Sequence, residues 1–532
     1  MITTGKHYFS QRRRSDDPVD LLVVGGGITG CGVALDAAER GLSVMLVEQH
    51  DLSSHTSSRS SKLVHGGIRY LEQFDFALVR ESLKEQDRLL NHIAPYHVSP
   101  LTFTMPIEQI GLKALYYRIG TILYDWLGSR KAGAKARLIG KSALKSAAAY
   151  LHPRYGAGLQ YSDALMDDVR LVFSVAHTAV GKGATLLTRA QVTAASKVPT
   201  GFDVTVNCEG TLQTVTAKNV VLAAGAYSNH LQKLFGDADI ETTAAKGSHI
   251  LVQRDRLPGK TALVTKTPKS VLFCIPFPHH WVIGTTDAPA PSLEKGEIAD
   301  RDEITYILTE INQHLADPLE ESDVIGAFAG VRPLVSQKGK DTSAISRSHV
   351  VIKTGDGAIL VTGGKYTTYR VMAEDAVNAA LEAPAKTSVT AALALWGAEK
   401  WKGRDDLIEA LARDYQLDTE TANRLVGRYG NKTAKVLTAN KSLQNPLEAV
   451  SLGGPLWAEL YFGVSHEGAT SLADLLHRRV RCDLDMACAG MSIASTVLDR
   501  FADCGISFTN DPIEELETFK RACAVLRPDL AD

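Results

Sequence analysis

Apolar and polar positions fall into three rhythms along this chain. In the first, short apolar runs alternate with helical patterns. VDLLVV (19–24) predicts a strand buried on both faces, and LSVMLVE (42–48) predicts a second. Between them, small and apolar residues recur at helical spacing to about Arg40, where Gly41 ends the pattern. FALVRESLKEQDRLL (76–90) reads as an amphipathic helix with Leu78, Val79, Leu83, Leu89 and Leu90 on one side. Residues 167–189 give a helix, a glycine break and a strand, and GFDVTVNCEG and LQTVTAKNVVLAAG give two more strands. In the second rhythm, residues 245–290 alternate more strongly and predict a sheet outside that unit, with GAFAGVRPLV (326–335) following. AILVTGGKYTTYRVMAEDAVNAALEA (358–383) returns to strand, paired glycines and a helix opening near Thr367. The third rhythm starts at about 388, where RDDLIEALARDYQ, TANRLVGRYG and ATSLADLLHRRVRCDLD are helical and charged.

The first turn carries chemistry. Gly25, Gly27 and Gly30 form G-x-G-x-x-G between the first strand and its helix, and Glu48 ends the second strand about 20 residues on. Gly25 permits the tight turn, Gly27 lets backbone approach a pyrophosphate, and Gly30 lets helix and strand pack closely. The helix N-terminus offers free N–H groups to an anion, and Glu48 can accept ribose hydroxyls. This is a dinucleotide site. The second strand then runs into a hydroxyl-rich loop, and no second G-x-G-x-x-G follows, so FAD reduced directly by the substrate is favoured over NAD. The Ala-Ala-Gly ending at Gly225 closes an apolar strand and marks another close approach, beside the pyrophosphate.

Composition narrows the class. The chain has 532 residues, 45% of them hydrophobic and 22% charged, with a net charge of −2. That length suggests about three domains, and the balance gives no reason to expect nucleic acid. Seven cysteines without a C-x-x-C pair read as reduced thiols in a cytoplasmic setting. The basic N-terminal stretch lacks the apolar core of a secretory signal, and no window is apolar enough to span a membrane. Residues 109–148 nevertheless carry Lys113, Arg118, Arg130, Lys131, Lys135, Arg137, Lys141 and Lys145, interleaved with Tyr116, Tyr117, Tyr124 and Trp126. That mixture suits either an anionic lipid surface or a solvated basic face.

Several stretches taken together resemble one family. DLLVVGGGITGCGVALDAAERGLSVMLVE, TSSRSSKLVHGGIRYLE, KGSHI, IGTTD, GVRPL and GGKYTTYR, in that order over roughly residues 18–385, are similar to the FAD-dependent, quinone-linked glycerol-3-phosphate dehydrogenases. The resemblance implies oxidation of sn-glycerol 3-phosphate to dihydroxyacetone phosphate, with FAD passing electrons to ubiquinone or menaquinone. It implies a peripheral homodimer on the cytoplasmic face of the inner membrane. The expected fold is α/β: a Rossmann-like FAD-binding domain (15–100, 150–240 and 345–387), a basic segment (101–149), an interleaved β-rich substrate domain (241–344) and an all-helical C-terminal domain (388–532).

By the same resemblance, Arg332 of GVRPL matches the substrate-phosphate arginine, and Arg69, Tyr70, Lys365 and Thr367 match positions lining that pocket. Ser57, Ser58, Ser61, Lys62 and His65 match the flavin loop, with Gly364 and Thr367 at the second glycine turn. A phosphate monoester carries about two negative charges, so forked and mobile cations are the donors expected there. His249 of KGSHI is the first candidate for the general base and His65 the second, with Arg69 or Arg332 able to polarise the substrate hydroxyl. A same-fold oxidase using oxygen, an amine or amino-acid oxidase and a non-catalytic FAD-binding protein are the alternatives.

Overall fold

The computed structural model describes residues 18–67, 75–108, 112–127, 135–268, 271–290, 292–293, 295–337, 349–381 and 386–526. The expected turn forms at its start. β1 (Val19–Val24), α1 (Ile28–Glu39) and β2 (Val44–Val47) make a βαβ unit, with Leu22 opposite Met45 and Val24 opposite Val47 in parallel register. The helix can lie flat on the sheet because its inner positions are small. Gly32 sits where an added Cβ would stand 3.0 Å from the Tyr369 ring. Around β1 the described strands order as His349–Lys353, Ile359–Gly363, Thr211–Leu222, β1, β2 and Thr185–Leu187. Helices Asp168–Gly181 and Tyr369–Leu381 pack with α1 in one continuous apolar core.

A second sheet, ten-stranded among the described residues, forms the other wall. Its long middle strand, Ile240–Gln253, is antiparallel to Val324–Gln337 on one side and His280–Gly284 on the other. Alternation splits this strand cleanly. Ile250 and Val252 face the helix Arg301–Asn312 and its core, whereas Leu251, on the same face as His249, packs with Val79, Leu83 and Tyr161. The sheet also takes Leu63–Val64, Val98–Ile107, Arg137–Gly140 and Ala157–Met166, residues assigned above to the FAD domain and the basic segment. Val98–Ile107 and Ala157–Met166 pair along ten positions, a contact that periodicity within either strand cannot reveal.

The basic segment is likewise not one element. It comprises the helix Leu112–Leu127, the strand Arg137–Gly140 and the helix Lys141–Ala147. Arg118, Lys135, Arg137, Lys141 and Lys145 are exposed, while Tyr124 is buried and donates to Asp163 Oδ1 at 2.7 Å. Arg130 and Lys131 lie outside the described residues. No described helix is long and apolar enough to cross a membrane. Six cysteines among the described residues stand outside any disulfide, four of them buried.

The third part is helical, as expected, with its own cores around Trp457–Phe501 and around Leu425, Tyr429 and Phe462. It docks through buried ion pairs. Arg170 holds Glu467 with two bonds of 2.9 and 2.7 Å. Arg479 holds Asp51 at 2.6 and 2.9 Å, and Arg478 reaches the same carboxylate at 2.6 Å.

Candidate active site

The two sheets enclose a cleft of about 880 Å3, a size typical of ligand sites. One end is built by the glycine turn. Gly25 takes φ +115°, and a Cβ there would stand 2.6 Å from the Ala223 carbonyl oxygen. The turn therefore runs against the Ala-Ala-Gly strand end as the sequence implied. A Cβ on Gly30 would meet Gly25 O at 1.9 Å, so Gly30 is required by packing and does not itself line the cleft. Ser57 Oγ accepts from the Ile28 backbone N–H at 3.0 Å and ties the hydroxyl-rich loop to the first turn of α1.

Glu48 lines this end but is already engaged. Its carboxylate accepts from the backbone N–H groups of Gly26 (2.7 Å) and His50 (2.8 Å). Burial raises its pKa and these two donors oppose the rise. Each oxygen keeps a lone pair for a further donor.

Toward the middle, His249 brings the second sheet into the cleft. Its Nε2 is hydrogen-bonded to Ser61 Oγ at 2.8 Å, and its ring stacks on Phe328 with centroids 4.8 Å apart. Its Nδ1 is buried with no hydrogen-bond partner. Burial holds the imidazole well below its ordinary pKa, helped by the charges of Arg332 and Lys62, so it is neutral at working pH. Arg332 lines the cleft on the adjacent strand and donates from Nη2 to Thr285 Oγ1 at 2.8 Å and from Nη1 to Asp287 Oδ1 at 3.4 Å. Gly247 makes room for it, because a Cβ there would fall 2.3 Å from Arg332 Nη2. Lys365 enters from the other sheet and donates to Ser82 Oγ at 3.1 Å. Gly225, Gly364 and His65 also line the cleft. Arg69 and Tyr70 lie outside the described residues.

Besides Gly30, three expected site residues do not line the cleft. Lys62 is buried and turned inward, its ammonium 2.6 Å from Asp168 Oδ2 and 2.5 Å from Ser58 O. Ser58 instead donates to His55 O at 2.9 Å. Thr367 lies under the cleft and locks two loops, accepting from the His65 N–H at 3.2 Å and donating to His65 O at 3.4 Å. Each of the three bonds a backbone carbonyl of its own or a neighbouring loop, and Lys62 a buried carboxylate besides.

Sequence reasoning missed Arg59, in the same loop, and Thr362, at the end of the Ile359–Gly363 strand. Both line the cleft, and both bear buried atoms without a hydrogen-bond partner, Arg59 Nη1 and Thr362 Oγ1. Ser53 Oγ, His55 Nε2 and His249 Nδ1, on residues that line the same cavity, are likewise buried without a hydrogen-bond partner. Buried polar groups are normally partnered, so this set fits a polar ligand in the cleft. The α1 N-terminus at the glycine turn lines the cleft and fits its pyrophosphate. The only signal for Arg59 was its place within TSSRSSK, and for Thr362 its place before the paired glycines.

Comparisons with known proteins agree with this geometry. A model of the FAD dependent oxidoreductases matches residues 20–370, and one of the C-terminal domain of alpha-glycerophosphate oxidase matches 388–504. The glycerol-3-phosphate dehydrogenase of Mycobacterium leprae is 37% identical over 496 residues, 92% of this chain and 85% of that one. The D-erythritol 1-phosphate dehydrogenase of Brucella abortus is 36% identical over 475 residues, 87% of this chain and 94% of that one. The glycerol-3-phosphate dehydrogenase of Bacillus halodurans, solved in complex with FAD, superposes with a TM-score of 0.76 at 25% identity and 96% coverage of both chains. This chain therefore belongs to the FAD-dependent oxidoreductase family, beside relatives that are glycerol-3-phosphate dehydrogenases, and FAD is its cofactor.

Proposed function

We propose that the chain oxidises sn-glycerol 3-phosphate to dihydroxyacetone phosphate and delivers the electrons to a membrane quinone. The observation that carries this reading is the meeting, in one cleft, of two cations from opposite walls with a neutral, buried imidazole. Arg332 and Lys365 bind the phosphate, the arginine as a planar fork and the lysine as a mobile point charge. Arg69 completes the pocket, as the resemblance implies. In the tautomer this reading takes, His249 Nε2–H donates to Ser61 Oγ. Nδ1 then carries the free lone pair that takes the proton of the substrate's C2 hydroxyl. Bound FAD supplies the hydride acceptor. The Gly25–Gly27 turn, Ser57, Gly225 and Gly364 would hold the flavin's edge and pyrophosphate, with Glu48 at the ribose.

A quinone acceptor is supported by the cleft's rim. Phe76 and Ile119 line the cleft and are 40% and 59% exposed, and Ile122 is 54% exposed on the same helix as Ile119. Apolar side chains around the mouth of a redox site suit contact with a lipid surface.

Anaerobic titration tests the reading. Glycerol 3-phosphate should bleach the flavin absorbance, and added quinone should restore it faster than oxygen does, with little peroxide. Flavin that stays oxidised overturns the reaction. Faster bleaching by D-erythritol 1-phosphate overturns the substrate. Stoichiometric peroxide overturns the acceptor.

A further inference from the structure

Asp168 opens the helix Asp168–Gly181 behind the flavin loop, and nothing in the proposed chemistry touches it. Its side chain is fully buried, as is that of Lys62, its 2.6 Å ion-pair partner. The same Oδ2 accepts from Ser60 Oγ at 2.7 Å and from Ser60 N at 3.3 Å. The Asp168 carbonyl accepts from Tyr366 of the second glycine turn at 2.5 Å. Arg481 approaches Oδ1 at 3.5 Å from the C-terminal helical unit, where it also lies 3.4 Å from Asp167 and 3.3 Å from Asp483. Asp168 thus ties the flavin loop and the helical unit through its carboxylate, and the second glycine turn through its backbone carbonyl.

The loop it ties carries the site. Ser60 and Ser61 line the cleft, and Ser61 holds His249. Lys62 Nζ lies 5.0 Å from the centroid of Phe328, the ring on which His249 stacks. We propose that Asp168 is a positioning residue: by gathering Ser60, Lys62 and Arg481 on one buried carboxylate, it fixes the loop that presents Ser61 to His249, and through it the C-terminal unit acts on the reaction. The inference rests on His249 as the base. A packing role alone would need no charge at this place, and an isolated buried ion pair is not in itself a stabilising choice. What the pair adds is a fixed geometry for the hydroxyl next to it.

The test uses FAD-loaded enzyme. Asp168→Asn keeps the shape and removes the charge, and Arg481→Met removes the cation that the C-terminal unit brings to Asp168, together with its pairs to Asp167 and Asp483. Both should keep FAD and near-normal substrate affinity while flavin reduction slows, by up to about 100-fold for Asp168→Asn, the scale of a misplaced reacting group. Arg481→Lys should restore most of the rate. Should Asp168→Asn alone fail to fold, the Asp168→Asn/Lys62→Met pair removes both buried charges and is read in the same way. A substrate-free readout accompanies the kinetics: carbethoxylation of His249 by diethyl pyrocarbonate, followed by peptide mass mapping. His249 should be protected in the parent and modified faster in Asp168→Asn. Parent-like reduction rates in the FAD-loaded variants overturn the proposal, as does slowing that only tracks lost FAD. If glycerol 3-phosphate fails to reduce even the parent, the substrate reading falls, and the modification rate still decides: equal protection of His249 in parent and Asp168→Asn overturns the positioning role.

Discussion

At the scale of single residues, the site depends on what each side chain is denied as much as on what it touches. His249 is denied water and a partner for Nδ1, which keeps a base neutral and unoccupied. His249→Gln should therefore lower the rate of flavin reduction by about 10²- to 10⁴-fold, the usual worth of a general base, with FAD still bound. Stopped-flow reduction under anaerobic conditions measures this, and an unchanged rate removes His249 from the mechanism. Gly247 gives a subtler test of Arg332. An alanine methyl would press on Arg332 Nη2 and Thr285 Oγ1, both ends of side chains that can move, so Gly247→Ala should fold normally and shift the guanidinium. Loss of one charge-assisted bond is worth about 1.5–3 kcal/mol, or roughly 10- to 150-fold in Kd. Titration with glycerol 3-phosphate should show weaker binding in Gly247→Ala, and parent-like affinity would place the phosphate elsewhere. Sequence motifs identified His249, Arg332 and Lys365 as residue types near a ligand. They did not reveal that Lys62 turns inward to Asp168, because the sign of a side chain's direction in a loop depends on partners more than 100 positions away.

At the scale of elements, the βαβ turn was fully legible because every part of it is local: two apolar strands, a small-residue helix and glycines at fixed spacing. Gly30 shows how tight the result is. An added methyl would sit 1.9 Å from the backbone oxygen of Gly25, and backbone cannot swing away as a side chain end can. Gly30→Ala should push α1 off β1 and spoil the anion cradle, costing about 1–3 kcal/mol in packing. Purified Gly30→Ala should carry less flavin per chain and melt earlier than the parent; full flavin content at the parent melting temperature would show that the turn tolerates the methyl. The second sheet was legible only as β-rich sequence. Its strands come from residues 63–166 as well as 240–337, and pairing across such separations leaves no mark on the periodicity of either partner. The wall bearing His249 can thus be read in the sequence as β-rich, whereas its extent, from residues 63–166 as well as 240–337, cannot.

At the scale of the whole molecule, buried histidines set how the three parts respond to acid. His97 donates from Nδ1 to Gly427 O at 2.9 Å and so joins the body to the C-terminal unit. His477 lies inside that unit and donates to Ala489 O at 3.0 Å. His280, on the second sheet, lines a small cavity with Asp483 and Asp485 of the same unit. Burial pushes all three down, to about 3 for His97, about 4 for His280 and about 3 for His477, against 6.5 for a free imidazole. Their folded pKa values lie below the unfolded one, so the unfolded chain binds more protons over this window and stability falls as pH drops from about 6.5 toward 4. Each group contributes a slope of up to about 1.4 kcal/mol per pH unit, and three together up to about 4. Buried carboxylates add the same sign later. Burial raises Glu459, but Arg424 and Arg428 draw it down to about 2, so its contribution is lost only below about pH 4.5. The C-terminal unit should consequently loosen before the nucleotide-binding body, with flavin reduction failing ahead of flavin release because Arg481 leaves with it. Thermal melts of the FAD-loaded enzyme between pH 7 and 4 should show a steep fall beginning near 6, and His97→Gln, which keeps a donor toward Gly427 and cannot charge, should flatten it by about a third. A melting temperature constant from pH 6.5 to 4.5 would mean that these histidines meet their protons without breaking the contact, and the coupling between the helical unit and the site would have to be carried by the arginines alone.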